Sequence, residues 1–388
     1  MLHRTAEVAA IVWGDRNAPA AVVAEQAKAL EASGVVDTIL MSDQLVNLIP
    51  TQLWTPEHTH MAQAIHDPDS HPDPFIMSTY ASAAAPNLKM AISTDCVRHG
   101  PAELIQTMLT HANVTQGKSA FHIGAGEAKQ CSAFGWKRSQ GLGRLEDLFT
   151  IFHKMWDSDG PIDHDGRYTT VKRAFIGSGK PYKPEIWGLG GGPKLLDLAL
   201  TYADGMAATA PCKWATPEQA HDDIDALKKQ LRERGRDPEA FGFGIYCPVL
   251  VHDDEALVEE LMDNALVRWL AGTLGRIHGE DWRREGLESP IPDGWTYFQK
   301  MLPHSMDTAF IDDVVAKTTR DHVKKGWFYG TPQQVGESLQ EYVDAGVTWV
   351  LPCDWSPLVL DAADVAENQL RRNIEICTAL KPSTVGAL

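Results

Sequence analysis

The feature that most constrains this chain is a regular alternation of short apolar β-type runs with longer helical segments. Parallel strands joined by helices are buried on both faces, so this alternation predicts a parallel sheet covered by helices. Eight runs fit the pattern: Glu7–Val12, Thr38–Met41, Leu88–Ser93, Ser119–Ile123, Glu185–Gly188, Met206–Thr209, Gly242–Val251 and Thr348–Leu351. Eight βα units favour a closed (β/α)8 TIM barrel, and a doubly wound open sheet is the alternative.

Helical segments fill the intervals between these strands. We predict helices at Ala20–Ala32, Pro101–Asn113, Arg144–Trp156, Lys194–Tyr202, Pro217–Arg232, Asp254–Leu270, Pro332–Ala345 and Ala362–Leu380. Two helix starts are especially clear, because Thr216 and Thr331 each precede a proline and have Gln three positions later. This pattern predicts a capping box with proline in the first helical position.

Three stretches interrupt the alternation, and we expect them to be insertions at strand ends of a single domain spanning residues 1–388. They are residues 44–73, 160–183 and 271–330. Long excursions at the strand ends of a barrel build substrate pockets and lids. An oligomer contact is the alternative for part of the third stretch. Within the second, Ile162–Val171 predicts a hairpin that turns at Asp165 and Gly166.

Charge and cysteine content argue against several classes of function. The chain has 35 basic and 52 acidic residues, a formal net charge of −17. Nucleic-acid binding is not expected, because phosphate recognition needs clustered Lys and Arg. The six cysteines have no C-x-x-C spacing, so we expect no metal site. No signal pattern and no long uncharged apolar run is present, which favours a cytoplasmic protein without a membrane span.

The segment Trp187–Lys194 leads from a strand into a helix through three consecutive glycines. Glycines let an anion approach the backbone, and a helix N-terminus offers free N–H groups with partial positive charge. Lys194 would add a full charge. The segment is neither G-x-G-x-x-G nor a P-loop. It predicts a phosphate site, with a tight turn that needs small residues as the alternative.

Polar side chains follow the second, third and fourth strands. Asp43 and Gln44 come directly after the second strand, Thr94 and Asp95 follow the third, and Glu127 follows the fourth behind Gly-Ala-Gly. The carboxyl ends of barrel strands meet at one mouth, where catalytic residues are placed. We therefore expect these side chains in one site. The alternatives are a turn-capping Asp and an exposed Glu stabilised by the helix dipole.

Other patterns carry less information. His58–His60 has the H-x-H spacing of metal-dependent hydrolase barrels, but it does not end the first strand and has no matching later set. No H-E-x-x-H or G-x-S-x-G motif is present. Trp13, Trp54, Trp214 and Trp355 predict an aromatic pocket, with ordinary core packing as the alternative.

Taken together, these strand ends resemble the luciferase-like hydride-transfer superfamily over nearly the whole chain. Its deazaflavin-dependent members are most similar, above all the mycobacterial phthiodiolone ketoreductases. The residues that carry this resemblance are Ser42–Leu45, Leu48–Pro50, Thr94-Asp95 and Leu302–Asp307. The resemblance implies an oxidoreductase that binds coenzyme F-420 (8-hydroxy-5-deazaflavin) at the barrel mouth.

The resemblance also implies residue roles. Cofactor contacts are expected from Asp43, Ile92, Ser93, Thr94, Gly124, Gly126, Gly190, Gly191, Gly192, Lys194 and Thr209. The bond between Ile92 and Ser93 is expected to be a non-proline cis peptide that forms a bulge behind the ring. Glu127 matches the carboxyl group that handles a proton in the sugar-phosphate dehydrogenase of this family. The substrate pocket is expected from Trp13, Trp54, His304 and Trp355.

Two positions depart from the family pattern. Many relatives carry His where this chain has Gln44, and an amide cannot titrate. Gln44 is therefore expected to act in catalysis by hydrogen-bonding the substrate carbonyl or the ring, beside Glu127. The aromatic residue found four positions later in the sugar-phosphate enzyme is Leu48 here. Both changes favour a more apolar substrate than glucose 6-phosphate.

We therefore expect a coenzyme F-420-dependent reductase or dehydrogenase that acts on a carbonyl, imine or activated double bond of a small molecule. One alternative is an FMN-dependent two-component monooxygenase of the same superfamily. Another is a cofactor-binding protein without turnover, which Gln44 would allow. We expect a homodimer. The substrate and the direction of the reaction stay open.

Overall fold

Eight parallel strands close into a barrel in the computed structural model, which describes residues 5–381. The strands, in chain order β1 to β8, are Glu7–Ile11, Thr38–Ser42, Lys89–Asp95, Ser119–Gly124, Glu185–Leu189, Gly205–Thr209, Gly242–Val251 and Trp349–Asp354. Each pairs in parallel with the next, and β8 pairs with β1 to close the ring. The predicted TIM barrel is confirmed. A further short strand, Phe328–Gly330, pairs with the end of β7.

The barrel interior is filled by small side chains packed around two tryptophans, Trp187 and Trp349. The strands β1, β3, β4 and β6 each contribute one alanine to this cluster, namely Ala9, Ala91, Ala120 and Ala207. Glycines on β6 and β7 complete the fit, because a Cβ on Gly205 or Gly242 would lie 2.6 or 2.2 Å from ring carbons of Trp187. The lower barrel is therefore a packed core, and a ligand has room only above it.

Eight helices pack around the barrel, one after each strand. They are Ala21–Ser33, Pro74–Ala84, Pro101–Val114, Gly141–Asp157, Pro193–Tyr202, Pro217–Glu233, Pro332–Asp344 and Ala362–Ala379. Shorter helices lie at Ala128–Cys131, Glu255–Leu261, Ala265–Leu274, Gly279–Arg284, Tyr297–Lys300, Thr308–Lys317 and Arg320–Gly326.

Two helix predictions need correction. The segment Asp254–Leu270 is not one helix, because Asn264 starts a new one by accepting a 2.9 Å hydrogen bond from Leu266 N. The capping box at Thr331 is confirmed, with Gln334 returning a bond to the Thr331 N–H. At Thr216 only half of the box forms, since the side chain of Gln219 bonds Ala215 N instead.

The predicted hairpin is confirmed as the antiparallel strands Ile162–Asp165 and Thr170–Ala174. Its turn is held from the barrel side by the buried carboxylate of Asp147. This group accepts bonds from the backbone N–H groups of residues 167, 168 and 169. The hairpin is thus fixed to the helix that follows β4.

Residues 44–73 and 271–330 pack against each other beside the barrel mouth and form a second apolar cluster. Trp269 of the neighbouring helix donates a 2.9 Å hydrogen bond to Leu48 O. The side chains of Thr51 and His304 also meet, at 3.1 Å. The two segments together build one wall above the strand ends.

Candidate functional site

The floor of the mouth is formed by residues of three strands and by Trp355, which directly follows β8. Ile11, Leu189, Tyr246 and Trp355 are half-buried there and pack on the interior core. Most of this floor is apolar or aromatic. Such a surface suits a planar ring that rests above the barrel core.

Asp43 lies at the centre of a buried ionic cluster that joins the ends of β2 and β3. Arg98 pairs with Asp43 at 2.8 Å and also with Asp95, while His99 Nε2 lies 2.9 Å from Asp43 Oδ2. Thr94 donates a 2.7 Å hydrogen bond to the same oxygen. Burial raises the pKa of Asp43, but His99, Arg98 and Thr94 together hold that pKa below its ordinary value.

Consequently, protein groups occupy the carboxylate of Asp43, which is 9% exposed. A direct contact of Asp43 with a cofactor ring stays a prediction. What the geometry shows is a carboxylate that fixes the loops after β2 and β3.

Glu127 and Gln44 are brought together by a lysine between them. Lys129 Nζ lies 3.3 Å from Glu127 Oε2 and 3.5 Å from Gln44 Oε1. The Lys129 side chain is 3% exposed, whereas that of Glu127 is 35% exposed. Burial lowers the pKa of Lys129, and the neighbouring Glu127 opposes that effect. The two residues expected to act in catalysis therefore lie in one group.

The turn Ala128–Cys131 also holds the loop that follows β2. Gln130 Oε1 accepts from Leu45 N at 2.7 Å and from Val46 N at 3.3 Å, and Gln130 Nε2 donates to Val46 O. Lys129 Nζ donates to the same carbonyl at 2.8 Å. The ends of β2 and β4 are thus locked together.

The third inserted segment reaches this group from above. Its short helix Tyr297–Lys300 packs against the turn that carries Lys129. Arg138 stacks over Phe298 at 5.0 Å and donates to Gly126 O. Burial raises the pKa of Tyr297 well above its usual range, with a further contribution from the charge of Glu127.

The glycine turn after β5 is packed against a neighbouring side chain at Gly191 and is open at Gly192. Gly190 has φ +136° and its N–H bonds Ala207 O, so it serves the turn itself. The stem of Lys213 lies against Gly191, while nothing lies within 4 Å of a Cβ built on Gly192. The N–H groups that open the helix Pro193–Tyr202 have no acceptor within that helix.

Two other residues expected at the phosphate lie less directly. Lys194 points to Glu146, 4.0 Å away, and is about half exposed. Thr209 ends β6, and its carbonyl accepts from Lys213 N at 2.8 Å. Lys213, whose Nζ pairs with Asp223 at 2.7 Å, is therefore the cation beside the glycine turn.

The expected cis peptide between Ile92 and Ser93 is wrong. In residues 5–381 the cis bond is Ala210–Pro211. β3 instead keeps an unbroken parallel register with β2 and β4 through both residues. Ile92 is fully buried in the core outside the barrel, so only its backbone can reach a ligand, whereas Ser93 faces inward.

The remaining predicted glycines serve close packing at the end of β4. Gly124 pairs with Leu189 of β5. Gly126 has φ +80°, and a Cβ there would lie 2.8 Å from Cys131 Sγ. The positive φ of Gly126 lets the chain turn tightly before Glu127. Contact of either with a cofactor stays a prediction.

Polar side chains of β2, β3, β4 and β7 also meet inside the barrel. Ser93 Oγ donates to Ser42 Oγ at 3.1 Å, and the Tyr246 hydroxyl lies 2.8 Å from His122 Nδ1. His122 stacks on Trp187 with ring centroids 4.9 Å apart. Burial lowers the pKa of His122 to about 3, so this imidazole is neutral at physiological pH.

Three of the four predicted pocket residues line one cavity of about 300 Å³. It lies beside the ends of β1 and β8 and includes Trp13, Trp54 and Trp355. Trp13 and Trp355 are in contact, with ring centroids 5.9 Å apart. His304 lies elsewhere: it is 54% exposed and pairs with Asp69. Trp214 is a fully buried core residue.

A larger cleft of about 690 Å³ lies away from this site, between the strand Phe328–Gly330 and the helix Pro332–Asp344. None of the predicted site residues lines it. Its lysines and arginine already pair with glutamates. Within the described residues, no group of three His, Cys, Asp or Glu side chains could hold a metal, and no helix could cross a membrane.

The residues that contact the predicted site residues were not predicted from the sequence. They are Arg98, His99, Lys129, Gln130, Lys213 and Tyr246. A signal was present for some of them, because Arg98 and Lys129 follow a predicted site residue by only two or three positions. Most of the contacts themselves join residues far apart in sequence, such as Gln130 and Leu45.

The chain matches known proteins along most of its length. A family model described as luciferase-like monooxygenase matches residues 51–348. The phthiodiolone/phenolphthiodiolone dimycocerosates ketoreductase of Mycobacterium kansasii is 27% identical over 322 residues, covering 81% of this chain and 86% of that protein.

Solved structures share the fold. An F-420-dependent secondary alcohol dehydrogenase in complex with an F-420–acetone adduct has a TM-score of 0.72 at 18% identity, covering 97% of this chain and 99% of that one. Riboflavin lyase with modified FMN and substrate riboflavin has a TM-score of 0.66 at 13% identity, covering 95% and 91%. At these identities the likeness shows the fold alone.

Proposed function

The chain belongs to the luciferase-like monooxygenase family and is an oxidoreductase of that family, and from this premise we propose that it is a coenzyme F-420-dependent reductase or dehydrogenase. Its substrate carries a carbonyl, imine or activated double bond on a largely apolar body. Support comes from three parts of the mouth: the glycine turn, the Glu127 group and the tryptophan cavity.

The glycine turn fits the phosphate of such a cofactor. The side of Gly192 is open, the helix behind it begins with free N–H groups, and Lys213 supplies a nearby cation. Gly191 and Gly192 would hold the phosphate together with Lys213. The aromatic and apolar floor around Tyr246 and Leu189 would carry the ring. The bound reduced deazaflavin supplies the hydride.

The observation that carries the proposal is that the glycine turn and Glu127 follow two directly paired strands. Gly124 of β4 lies opposite Leu189 of β5. Glu127 follows Gly124 by three residues, and Gly190 follows Leu189 directly. An anion cradle and a carboxylate thus flank one apolar floor. Hydride addition to a carbonyl also needs a proton at oxygen, and the partly exposed carboxyl group of Glu127 would supply it.

The cavity of about 300 Å³ would take the body of the substrate. Its lining combines three tryptophans with aliphatic side chains. It also holds two buried polar atoms, His71 Nε2 and Asn373 Oδ1, that have no hydrogen-bond partner within residues 5–381. A substrate with an apolar body and one or two polar groups matches this lining.

A second candidate is an FMN-dependent monooxygenase. The riboflavin lyase structure with modified FMN has the same fold. A phosphate at the glycine turn would serve FMN equally well. Reduced FMN with dioxygen is therefore the competing reaction in any test.

Anaerobic single-turnover mixing tests the proposal. Reduced coenzyme F-420 is mixed with the protein and a panel of alkyl ketones, and the absorbance of oxidised deazaflavin is followed. We expect oxidation that requires both protein and ketone. Dioxygen consumption with reduced FMN, and no reaction of reduced F-420 with any ketone, would favour the monooxygenase instead.

We also propose a homodimer. Ile76 and Tyr80, 69% and 47% exposed, lie four residues apart on one face of the helix Pro74–Ala84. Light scattering of the purified protein should give twice the chain mass of 42.7 kDa. A monomer at micromolar concentration would contradict this assignment.

A further inference from the structure

Lys129 is a buried cation directly behind the mouth. Its ammonium contacts Val46 O at 2.8 Å, Glu127 Oε2 at 3.3 Å and Gln44 Oε1 at 3.5 Å. A buried ammonium is costly unless a charge partner and hydrogen bonds compensate it. Methionine would fill similar space without that cost. The structure therefore places an expensive charge next to the carboxylate of the proposed reaction.

The two side chains of the Lys129–Glu127 ion pair differ in their exposure to solvent. Glu127 is 35% exposed and Lys129 only 3%. The carboxylate thus has a free face, while the ammonium is enclosed by the loop after β2 and the turn after β4. Lys129 cannot touch a substrate in this arrangement. Any effect on chemistry must pass through Glu127 or Gln44.

Other charged groups near the pair do not replace Lys129. Arg138 and Tyr297 approach Glu127, and Cys131 lies in the same turn. Near Lys129, the charge of Arg98 lowers the pKa of the ammonium and that of Asp69 raises it, while burial and then the charge of Lys129 lower the pKa of His71. Arg138 is committed to Gly126 O and the Phe298 ring. Lys129 is the cation that contacts the Glu127 carboxylate directly.

Anchoring of the loop does not require this charge. Gln130, the next residue, already makes three hydrogen bonds to Leu45 and Val46. It is neutral and fixes the same backbone. A purely structural role for Lys129 would therefore be shared with Gln130, whereas an electrostatic role would not.

We propose that Lys129 is a positioning residue for proton transfer, which orients the Glu127 side chain for the exchange of a proton with the substrate. The inference rests on the proposed function. When the carbonyl carbon accepts hydride, the π electron pair moves to oxygen, and that oxygen takes one proton from the Glu127 carboxyl. Water at the exposed face of Glu127 returns a proton to the resulting carboxylate, and the Lys129 ammonium stays protonated throughout. In the oxidation direction the same steps run in reverse.

The test uses Lys129→Met, Lys129→Arg and Gln130→Met, each alone and combined with Glu127→Gln. Turnover of reduced coenzyme F-420 with cyclohexanone as the probe is measured against pH. Lys129→Met should slow turnover by about 10- to 100-fold and change the shape of the pH profile. Lys129→Arg should restore most of the rate. Gln130→Met should keep the parental shape of the pH profile of turnover.

In the Glu127→Gln background, Lys129→Met should change turnover by no more than a few-fold. An equal loss in both backgrounds, or a parental pH profile for Lys129→Met, would overturn the proposal. The control Gln130→Met separates loop anchoring from charge.

A second readout needs no cofactor. Urea unfolding of the four combinations at Lys129 and Glu127 gives their coupling, and we expect clear non-additivity in the midpoints. Additive midpoints would refute the ion pair even where turnover is found. If non-additivity is seen but no ketone is reduced by any variant, the proposed function fails while the pairing stands, and the proton role of Lys129 is then rejected with it.

Discussion

Lys213 lies with its aliphatic stem against Gly191, so that a Cβ on this glycine would be 2.7 Å from Lys213 Cδ. Because Gly191 has no side chain, the side chain of Lys213 can lie beside the glycine turn. The turn after β5 and the loop after β6 form one unit. We therefore expect substitutions of Gly191 and of Lys213 to weaken cofactor binding.

Gly191→Val should displace Lys213 and narrow the approach to the backbone. We expect cofactor affinity to fall by about 1–3 kcal/mol, the scale of losing hydrogen bonds to a charged group. Gly179→Val is the matched control, because nothing lies within 4 Å of a Cβ built on Gly179 and this glycine is not part of the proposed site. Fluorescence titration measures both. Equal losses, or no loss in a folded Gly191→Val protein, would place the phosphate elsewhere.

Lys213→Met should weaken binding of the cofactor phosphate about tenfold, since one charge-assisted contact is removed. Lys194→Met should change it less than twofold, because Lys194 faces Glu146 on the outer surface. Titration in low and moderate salt checks the comparison. If Lys194 proves the more important cation, the assignment drawn from the geometry is reversed.

Glu127→Gln should lower turnover by about 10²–10⁴-fold, because the amide keeps size and hydrogen bonding but carries no transferable proton. Cofactor affinity should change little. The substitution also leaves Lys129 without its counter-charge, so a lower unfolding free energy is expected. Turnover within a few-fold of the parent would show that the proton comes from water or another group.

Asp354 should make the protein less stable as pH rises from about 4 to about 6. Burial raises the pKa of this carboxyl from 3.8 to about 6. The folded state therefore binds a proton that the unfolded state releases within this window, and stability falls as pH rises. At pH 7 the ionised, buried Asp354 lowers the free energy of unfolding by roughly 3 kcal/mol, which corresponds to a pKa of about 6 in place of 3.8.

Asp354→Asn removes this titration while its side-chain oxygen can still accept the 2.9 Å bond from Ser356 N. The variant should gain stability relative to the parent as pH rises from 4 to 7. Urea unfolding across this range measures the difference, in which the shared effect of His122 cancels. A difference that does not vary with pH would refute the prediction.

The eight strands were predictable because each is a short apolar run between helix signals. The helical break at Asn264 was not, since apolar residues continue on both sides and only the side-chain cap marks the boundary. The helix Pro74–Ala84 was also missed. It begins directly behind the insertion, at the Asp73 cap.

Individual site residues were predictable where they stand at strand ends, as Asp43 and Glu127 do. Their partners were not, because Gln130 with Leu45 and Trp269 with Leu48 meet only after the chain has folded. The sequence indicates Lys194 as the cation of the phosphate site, because it stands beside the glycines, and nothing in the sequence indicates Lys213. The fold shows that the more distant lysine in sequence is closer to Gly191.

The proposed function depends above all on which cofactor the protein binds. Fluorescence titrations of the purified protein with oxidised coenzyme F-420 and with FMN, under the same buffer and salt, compare the two dissociation constants. We expect the protein to bind F-420 at least tenfold more tightly than FMN, a difference of about 1.4 kcal/mol. FMN binding that is equal or tighter would contradict it and favour the monooxygenase.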